Sequence, residues 1–160
     1  MFPGHVWSAD FVERMVRRRK FRIFVIIDDF SKRIISYYMD FSISGQKVLE
    51  VFENSIKLFS RPRVFRTDNG SEFRKNFNLF LSNNRIKHEF IDKGKPYQNG
   101  FSEGFNSRFS DECLKGIDFD LLSIDEIKSS ITDWFKWYNY QRPHSAIDYE
   151  TPVKFYLRSY

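Results

Sequence analysis

The segment FRIFVIID at residues 21–28 constrains the fold most, because its stretch Phe24 to Ile27 is apolar on both faces of any strand it forms. A strand of that kind belongs inside a sheet covered on both sides. Residues 5–12 alternate instead: Trp7, Ala9 and Phe11 fall on one face and Val6, Ser8, Asp10 and Val12 on the other, as in a half-buried strand. The basic stretch between the two reads as a turn with its tip near Met15 to Arg19, and RIISYYMDF at 33–41 supplies a third strand. Three strands joined by short turns imply an antiparallel meander.

The period then changes. Val48, Val51, Phe52, Ile56 and Phe59 recur at helical spacing up to the Arg61-Pro62 break. RVFRT at 63–67 reads as a short strand, Phe73, Phe77, Phe80 and Leu81 as a helix, and IKHEFI at 86–91 as another strand. Gly94, Pro96, Asn99 and Gly100 mark a loop before a helix striped by Phe101, Phe105 and Phe109. Ser123 with Glu126 forms a capping box for a last helix whose apolar face is Ile127, Ile131, Trp134, Phe135 and Tyr138. The expectation is one α/β domain over residues 1–160, a mixed five-stranded sheet flanked by helices. Its 41% apolar residues suffice to close one core.

The 19 phenylalanines are core material, since no run approaches the roughly 18 uninterrupted apolar residues of a membrane span. A soluble protein is expected, with no membrane association. Cys113 stands alone, and the start MFPGHVWSADF lacks a basic leader with an apolar stretch, so a reducing cytoplasm fits. The net charge of +5 and pI near 9.3 favour a polyanionic partner, because a basic surface gains free energy by releasing counterions from phosphates. Arg14, Arg17, Arg18, Arg19, Lys20 and Arg22 crowd together, while Arg61, Arg63, Arg66, Lys93 and Lys95 flank later acids. The first cluster reads equally as a DNA contact or as a solvated hairpin tip.

Phosphodiester chemistry without a covalent intermediate commonly uses two divalent ions, which carboxylates from separate elements must converge to hold. Asp68 ends the RVFRT strand, at the carboxyl end where α/β ligands sit. Its Asp-Asn-Gly-Ser context also reads as a hairpin turn. Glu103 falls opposite the phenylalanine stripe of its helix, beside Asn106, Ser107 and Ser110, where a solvated glutamate is the ordinary alternative. Asp10 projects from mid-strand and needs compensation, from a metal or from an arginine such as Arg22. Asp28 and Asp29 lie too far along the neighbouring strand to share its ion. His5, His88 and His144 lack partners at zinc-ligand spacing, and there is no glycine-rich phosphate loop or serine-nucleophile elbow.

Five blocks in order, WSADF around Asp10, IDDFSKR at 27–33, TDNGSEF around Asp68, GKPYQNGFSEGFN around Glu103 and YNYQRPHSAIDYETP at 138–152, resemble the catalytic core shared by retroviral integrases and bacterial insertion-sequence transposases. The last two blocks look most like the bacterial transposases whose second reading frame encodes this core. The resemblance implies a ribonuclease H-like fold and metal-dependent DNA cleavage and strand transfer. It implies that Asp10 bridges two Mg²⁺ or Mn²⁺ ions, with Asp68 and Glu103 each completing one. DNA contacts would come from Lys93, Lys95, Tyr97, Gln98 and Asn99, with Arg108 near the DNA end. The partners implied are element-end and target DNA, further copies of the chain assembled on it, and a helix-turn-helix protein from an adjacent frame that supplies the recognition region expected upstream.

Three departures stand out. The gap between Asp68 and Glu103 is 34 residues, one fewer than the usual spacing. Gly104 stands where a larger residue is usual, and Ser110 where the family generally has Lys or Arg, a role Arg108 could take. A catalytically inactive remnant that only binds DNA, or a related metal-dependent nuclease, are the alternative readings.

Overall fold

The computed structural model describes residues 1–92 and 100–160, with side chains placed for all of these except 100–103. Five strands form one sheet: β1 (Val6–Val16), β2 (Arg19–Asp28), β3 (Ile34–Asp40), β4 (Val64–Thr67) and β5 (Lys87–Phe90). Their order is β3-β2-β1-β4-β5. The first three pair antiparallel, whereas β4 pairs parallel to both β1 and β5. Helices α1 (Gly45–Phe59), α2 (Asn76–Asn83), α3 (Gly100–Glu112), α4 (Ile124–Tyr140) and α5 (Pro152–Arg158) complete the mixed α/β architecture expected from the sequence.

The two-residue period of β2 explains the layering. Phe21, Ile23, Val25 and Ile27 enter one core with Phe105 and Phe109 of α3 and Ile127, Ile131, Phe135 and Tyr138 of α4. Phe24 and Ile26 enter the opposite core with Val48 and Phe52 of α1 and Phe77 and Leu81 of α2. The sheet is thus covered on both sides, as the doubly apolar run requires. Ser44 caps α1 by accepting from the Lys47 N–H, and the expected capping box of Ser123 and Glu126 starts α4.

Two elements differ from expectation. The helix expected from Phe73 is split: Ser71–Phe73 makes one 3-10 turn, and α2 begins after Lys75, whose φ of 49° interrupts the helix. Helix α5 was not anticipated, because its seven residues are too few to display a periodic stripe; its sequence mark is Pro152 in the first turn, where the missing N–H costs nothing.

The hairpin between β1 and β2 turns on Arg17 and Arg18, both left-handed at φ 47° and 65°. Such turns usually take Asn-Gly. Here the Arg17 guanidinium donates to the carbonyls of Asp120 (3.4 Å) and Leu122 (2.9 Å), tying the tip to the loop before α4. This register sets Asp10 opposite Val25 and Asp28 opposite Trp7. Asp28 is therefore three residues past Asp10's partner, about 10 Å at a rise of about 3.3 Å per residue. In the parallel pair, Ser8 faces Arg66, so the same register carried two residues on sets Asp10 beside Asp68. Among the described residues, no helix is long and apolar enough to cross a membrane.

Candidate functional site

Asp10 shares its strand face with Val12 and Val16, which pack into the core beneath α3 and α4. Its Oδ2 accepts from Asn106 Nδ2 of α3 at 2.7 Å and its Oδ1 from the Phe11 N–H at 2.8 Å. Burial raises the Asp10 pKa above its ordinary value; the two hydrogen bonds pull it down, and repulsion from Asp68 adds to the rise. That repulsion is the electrostatic counterpart of the parallel register. The alternative partner Arg22 is engaged elsewhere, with Glu13 at 3.2 Å and Glu72 at 2.8 Å.

Asp68 leaves the end of β4 exposed to solvent, with Oδ1 accepting the Gly70 N–H at 2.9 Å. The chain then enters the 3-10 turn and α2, so the hairpin alternative does not hold. A Cβ at Gly70 would lie 2.8 Å from Glu72 Oε2 and 2.9 Å from Asp68 Oδ1, which shows both carboxylates closing on the same space. Glu72 is an acid at this site that the sequence alone did not single out. A cavity of about 380 Å³ opens beside Asp68, bordered by Asn69, Arg74, Phe90 and Asp92.

Glu103 belongs to α3, and its side chain lies outside those described. It precedes Asn106 by three positions, so the two share a helix face. Lys93, Lys95, Tyr97, Gln98 and Asn99 lie outside the described residues. Among the described residues, no three His, Cys, Asp or Glu side chains gather as a metal-binding group.

Asp28 and Asp29 are structural. Asp28 is fully buried and accepts from the Gly4 N–H (2.8 Å), the Ser31 N–H (2.9 Å) and the Ser31 hydroxyl (2.6 Å). Gly4 makes that contact from a left-handed φ of 72°, which glycine adopts without steric cost. Asp29 Oδ2 takes the Arg66 guanidinium at 2.8 Å.

The cation expected near Ser110 arrives from another element. Arg14 of β1 donates from Nη2 to Ser110 Oγ at 2.9 Å, whereas Arg108 borders a separate cavity. Asp10 with Asn106 and Arg14 with Ser110 form two rungs between β1 and α3, each pair four residues apart on its own element. Sequence reasoning named Asn106 only as a neighbour of Glu103 and Arg14 only as one of a basic cluster, because neither spacing shows that β1 and α3 meet there.

Two family models described as Integrase core domain match the chain, one at residues 2–96 and the other at 84–152. An uncharacterised 31.7 kDa protein of insertion element IS407 from Burkholderia multivorans is 35% identical over 96% of this chain and 55% of its own length. The transposase of insertion sequence element IS904 from Lactococcus lactis is 26% identical over 96% of this chain and 61% of its own length. The chain spans about half the length of the curated relatives it matches. Among solved structures, the HTLV-2 integrase catalytic core domain in complex with magnesium superposes with a TM-score of 0.77 at 21% identity, covering 98% of both chains. A chain of the simian T-cell lymphotropic virus intasome in complex with PP2A regulatory subunit B56 gamma gives 0.80 at 18% identity, covering 97% of this chain and 55% of that one. At these identities the likeness concerns the fold, which is ribonuclease H-like.

Proposed function

Because this chain belongs to the integrase core domain family, we propose that it is the catalytic core of an insertion-sequence transposase, cutting and joining DNA phosphodiester bonds with divalent metal ions. The observation that carries this reading is the pairing at Asp10. The β1–β4 register sets Asp10 beside Asp68, and Asn106 of α3 binds Asp10 one helical turn after Glu103.

The donor set suits Mg²⁺ or Mn²⁺, since carboxylate oxygens are hard ligands. The desolvation and the Asp68 repulsion that raise the Asp10 pKa are both relieved by a nearby cation. In this reading Asp10, Asp68 and Glu103 would be the residues that hold two such ions. When bound, such ions activate the attacking oxygen and stabilise the leaving one. The chain's own groups do the positioning: Asn106 orients Asp10, the Gly70 N–H fixes Asp68, and Arg14 and Arg74 meet the DNA backbone. Lys93, Lys95, Tyr97, Gln98 and Asn99, just before α3, contact DNA near the reacting phosphate, with Tyr97 stacking on a base. Arg108 adds a cation on the same helix. Water attacks first, and then a DNA 3′-OH, in line with the bond that breaks.

The partners in this reading are element-end and target DNA, further copies of the chain assembled on that DNA, and a helix-turn-helix segment from an adjacent frame that recognises the element ends. The setting is the bacterial cytoplasm, at the nucleoid. Strand transfer, or its reversal, on a branched DNA substrate with Mg²⁺ or Mn²⁺ tests the reading. Wild type is expected to be active and Asp68→Asn inactive. An inactive wild type or an unimpaired Asp68→Asn refutes it, and cutting without joining would make the protein a nuclease.

A further inference from the structure

On the face of α3 adjoining that of Glu103 and Asn106, a cavity of about 550 Å³ is bordered by Lys32, Gly104, Arg108, Arg142, His144 and Tyr149. We propose that this cavity is a phosphate-binding subsite that holds the DNA backbone beside the metal-binding face of α3. The proposal rests on the DNA-transposase reading above and adds to it a place and a set of residues.

Three cations from three separate segments converge there. Lys32, in the β2–β3 connection, has its amino group anchored on the Asp29 carbonyl at 2.6 Å. Arg142, after α4, is held by Glu112 through bonds of 2.8 and 2.5 Å. Arg108 is exposed and, among the described residues, has no hydrogen-bond or ion-pair partner. Its charge adds to the positive field at Lys32 and His144, although the nearby Asp29 and Asp28 carboxylates outweigh it at Lys32 and Glu112 partly offsets it at His144.

His144 forms part of the cavity wall and meets Arg142 Nη1 through Nδ1 at 3.4 Å. It is buried at 5% exposure, borders the cavity, and its Nε2 is buried without a hydrogen-bond partner. Burial, then the Arg142 and Arg108 cations, push its pKa down to about 4, so at neutral pH it is uncharged. Closed off from solvent and packed on the Tyr138 ring at 4.5 Å, the imidazole gives the cavity a neutral wall beside the three cations. The loop that carries His144 is closed on itself: the His144 N–H donates to Glu150 O (3.1 Å) and the Tyr149 N–H to His144 O (2.9 Å). Asp148 and Tyr149 are both left-handed there, at φ 56° and 59°, and the Tyr149 side chain stays exposed at the rim. Strain of this kind is concentrated at functional sites.

Size and position favour DNA. The volume falls in the range of roughly 300–1,000 Å³ typical of ligand pockets, and the exposed rim of Arg108, Ser145, Ala146 and Tyr149 leaves room for a continuing strand. Gly104 gives its unusual position a purpose, because a larger side chain next to Arg108 would narrow the cavity wall.

The test is fluorescence anisotropy of a labelled DNA duplex, in EDTA, over a range of salt concentrations. Arg108→Gln is compared with Lys57→Gln, an exposed control on α1 with the same charge change. Arg108→Gln is expected to weaken binding five- to tenfold near 0.1 M salt and to lower the salt slope by about one, the value for one lost phosphate contact; Lys57→Gln is expected to change neither. Equal behaviour of the two variants overturns the subsite, even if wild type joins DNA in the strand-transfer assay. Selective weakening by Arg108→Gln supports it, even if wild type is inactive there. Stabilisation by inorganic phosphate together with unchanged DNA binding by Arg108→Gln would make the cavity a small-anion site and overturn the assignment to DNA.

Discussion

Replacing Asp10 by Asn should make the metal-free protein more stable while destroying its response to metal. Asp10 is desolvated and adjoins Asp68, and both effects raise its pKa. A carboxylate whose folded pKa is raised binds its proton more tightly in the native state than in the unfolded chain. Its contribution to stability is therefore fully present at low pH and is lost as the pH climbs from 3.8 through the folded value. At neutral pH the wild type bears the whole penalty. The repulsive part can be sized from the sheet: strands about 4.8 Å apart put the two charges roughly 6 Å apart, and at effective dielectrics between about 20 and 80 they repel by roughly 0.7–3 kcal/mol. Exposure of Asp68 favours the lower end, about 1 kcal/mol. The amide keeps an acceptor for the Phe11 N–H, and Asn106 can turn its own amide to pair with it.

The assay is thermal unfolding in EDTA and in Mg²⁺ or Mn²⁺, between pH 4 and 8. In EDTA at neutral pH, Asp10→Asn should melt about 2–4 °C above wild type, and the difference should shrink on acidification. Metal at about 100 times its Kd should stabilise wild type by about 2.7 kcal/mol and the variant by much less. A variant that melts below wild type in EDTA, or that keeps the full metal response, would refute the reasoning.

Asp28→Ala should behave in the opposite way: it strands three buried donors, so a loss of about 3 kcal/mol or more is expected by denaturant unfolding, irrespective of metal, and a loss below about 1 kcal/mol would show that Asp28 does not hold the β2–β3 connection. Arg14→Ala should weaken duplex binding with little change in melting temperature, and adding Ser110→Arg should restore it; no loss, or no rescue, would mean that the Arg14 guanidinium does not serve DNA.

Much of this fold can be read from the sequence because period-2 and helical spacing are local signals. The meander, the return to a parallel strand and the capping box of α4 all rest on residues within a few positions of one another. The misplaced details depend on single backbone angles or on short elements. The left-handed Arg17 and Arg18 fix the β1–β2 register, Lys75 splits the helix after Phe73, and α5 is too short to show a stripe.

The site was legible in a different sense. Asp10 and Asp68 could be nominated, but only the parallel β1–β4 register explains why two acids so far apart in sequence repel each other. The groups that support them depend on how α3 crosses β1, which no spacing rule encodes. Asn106 and Ser110, four apart on the helix, meet Asp10 and Arg14, four apart on the strand. The same geometry bears on the remnant alternative. A cation missing from α3 at Ser110 is a defect only if position 110 must supply its own charge. Since the neighbouring strand delivers a guanidinium to that point, and Arg108 turns instead to the Lys32, Arg142 and His144 cavity, the departures at 104 and 110 relocate positive charge around the acids without removing it.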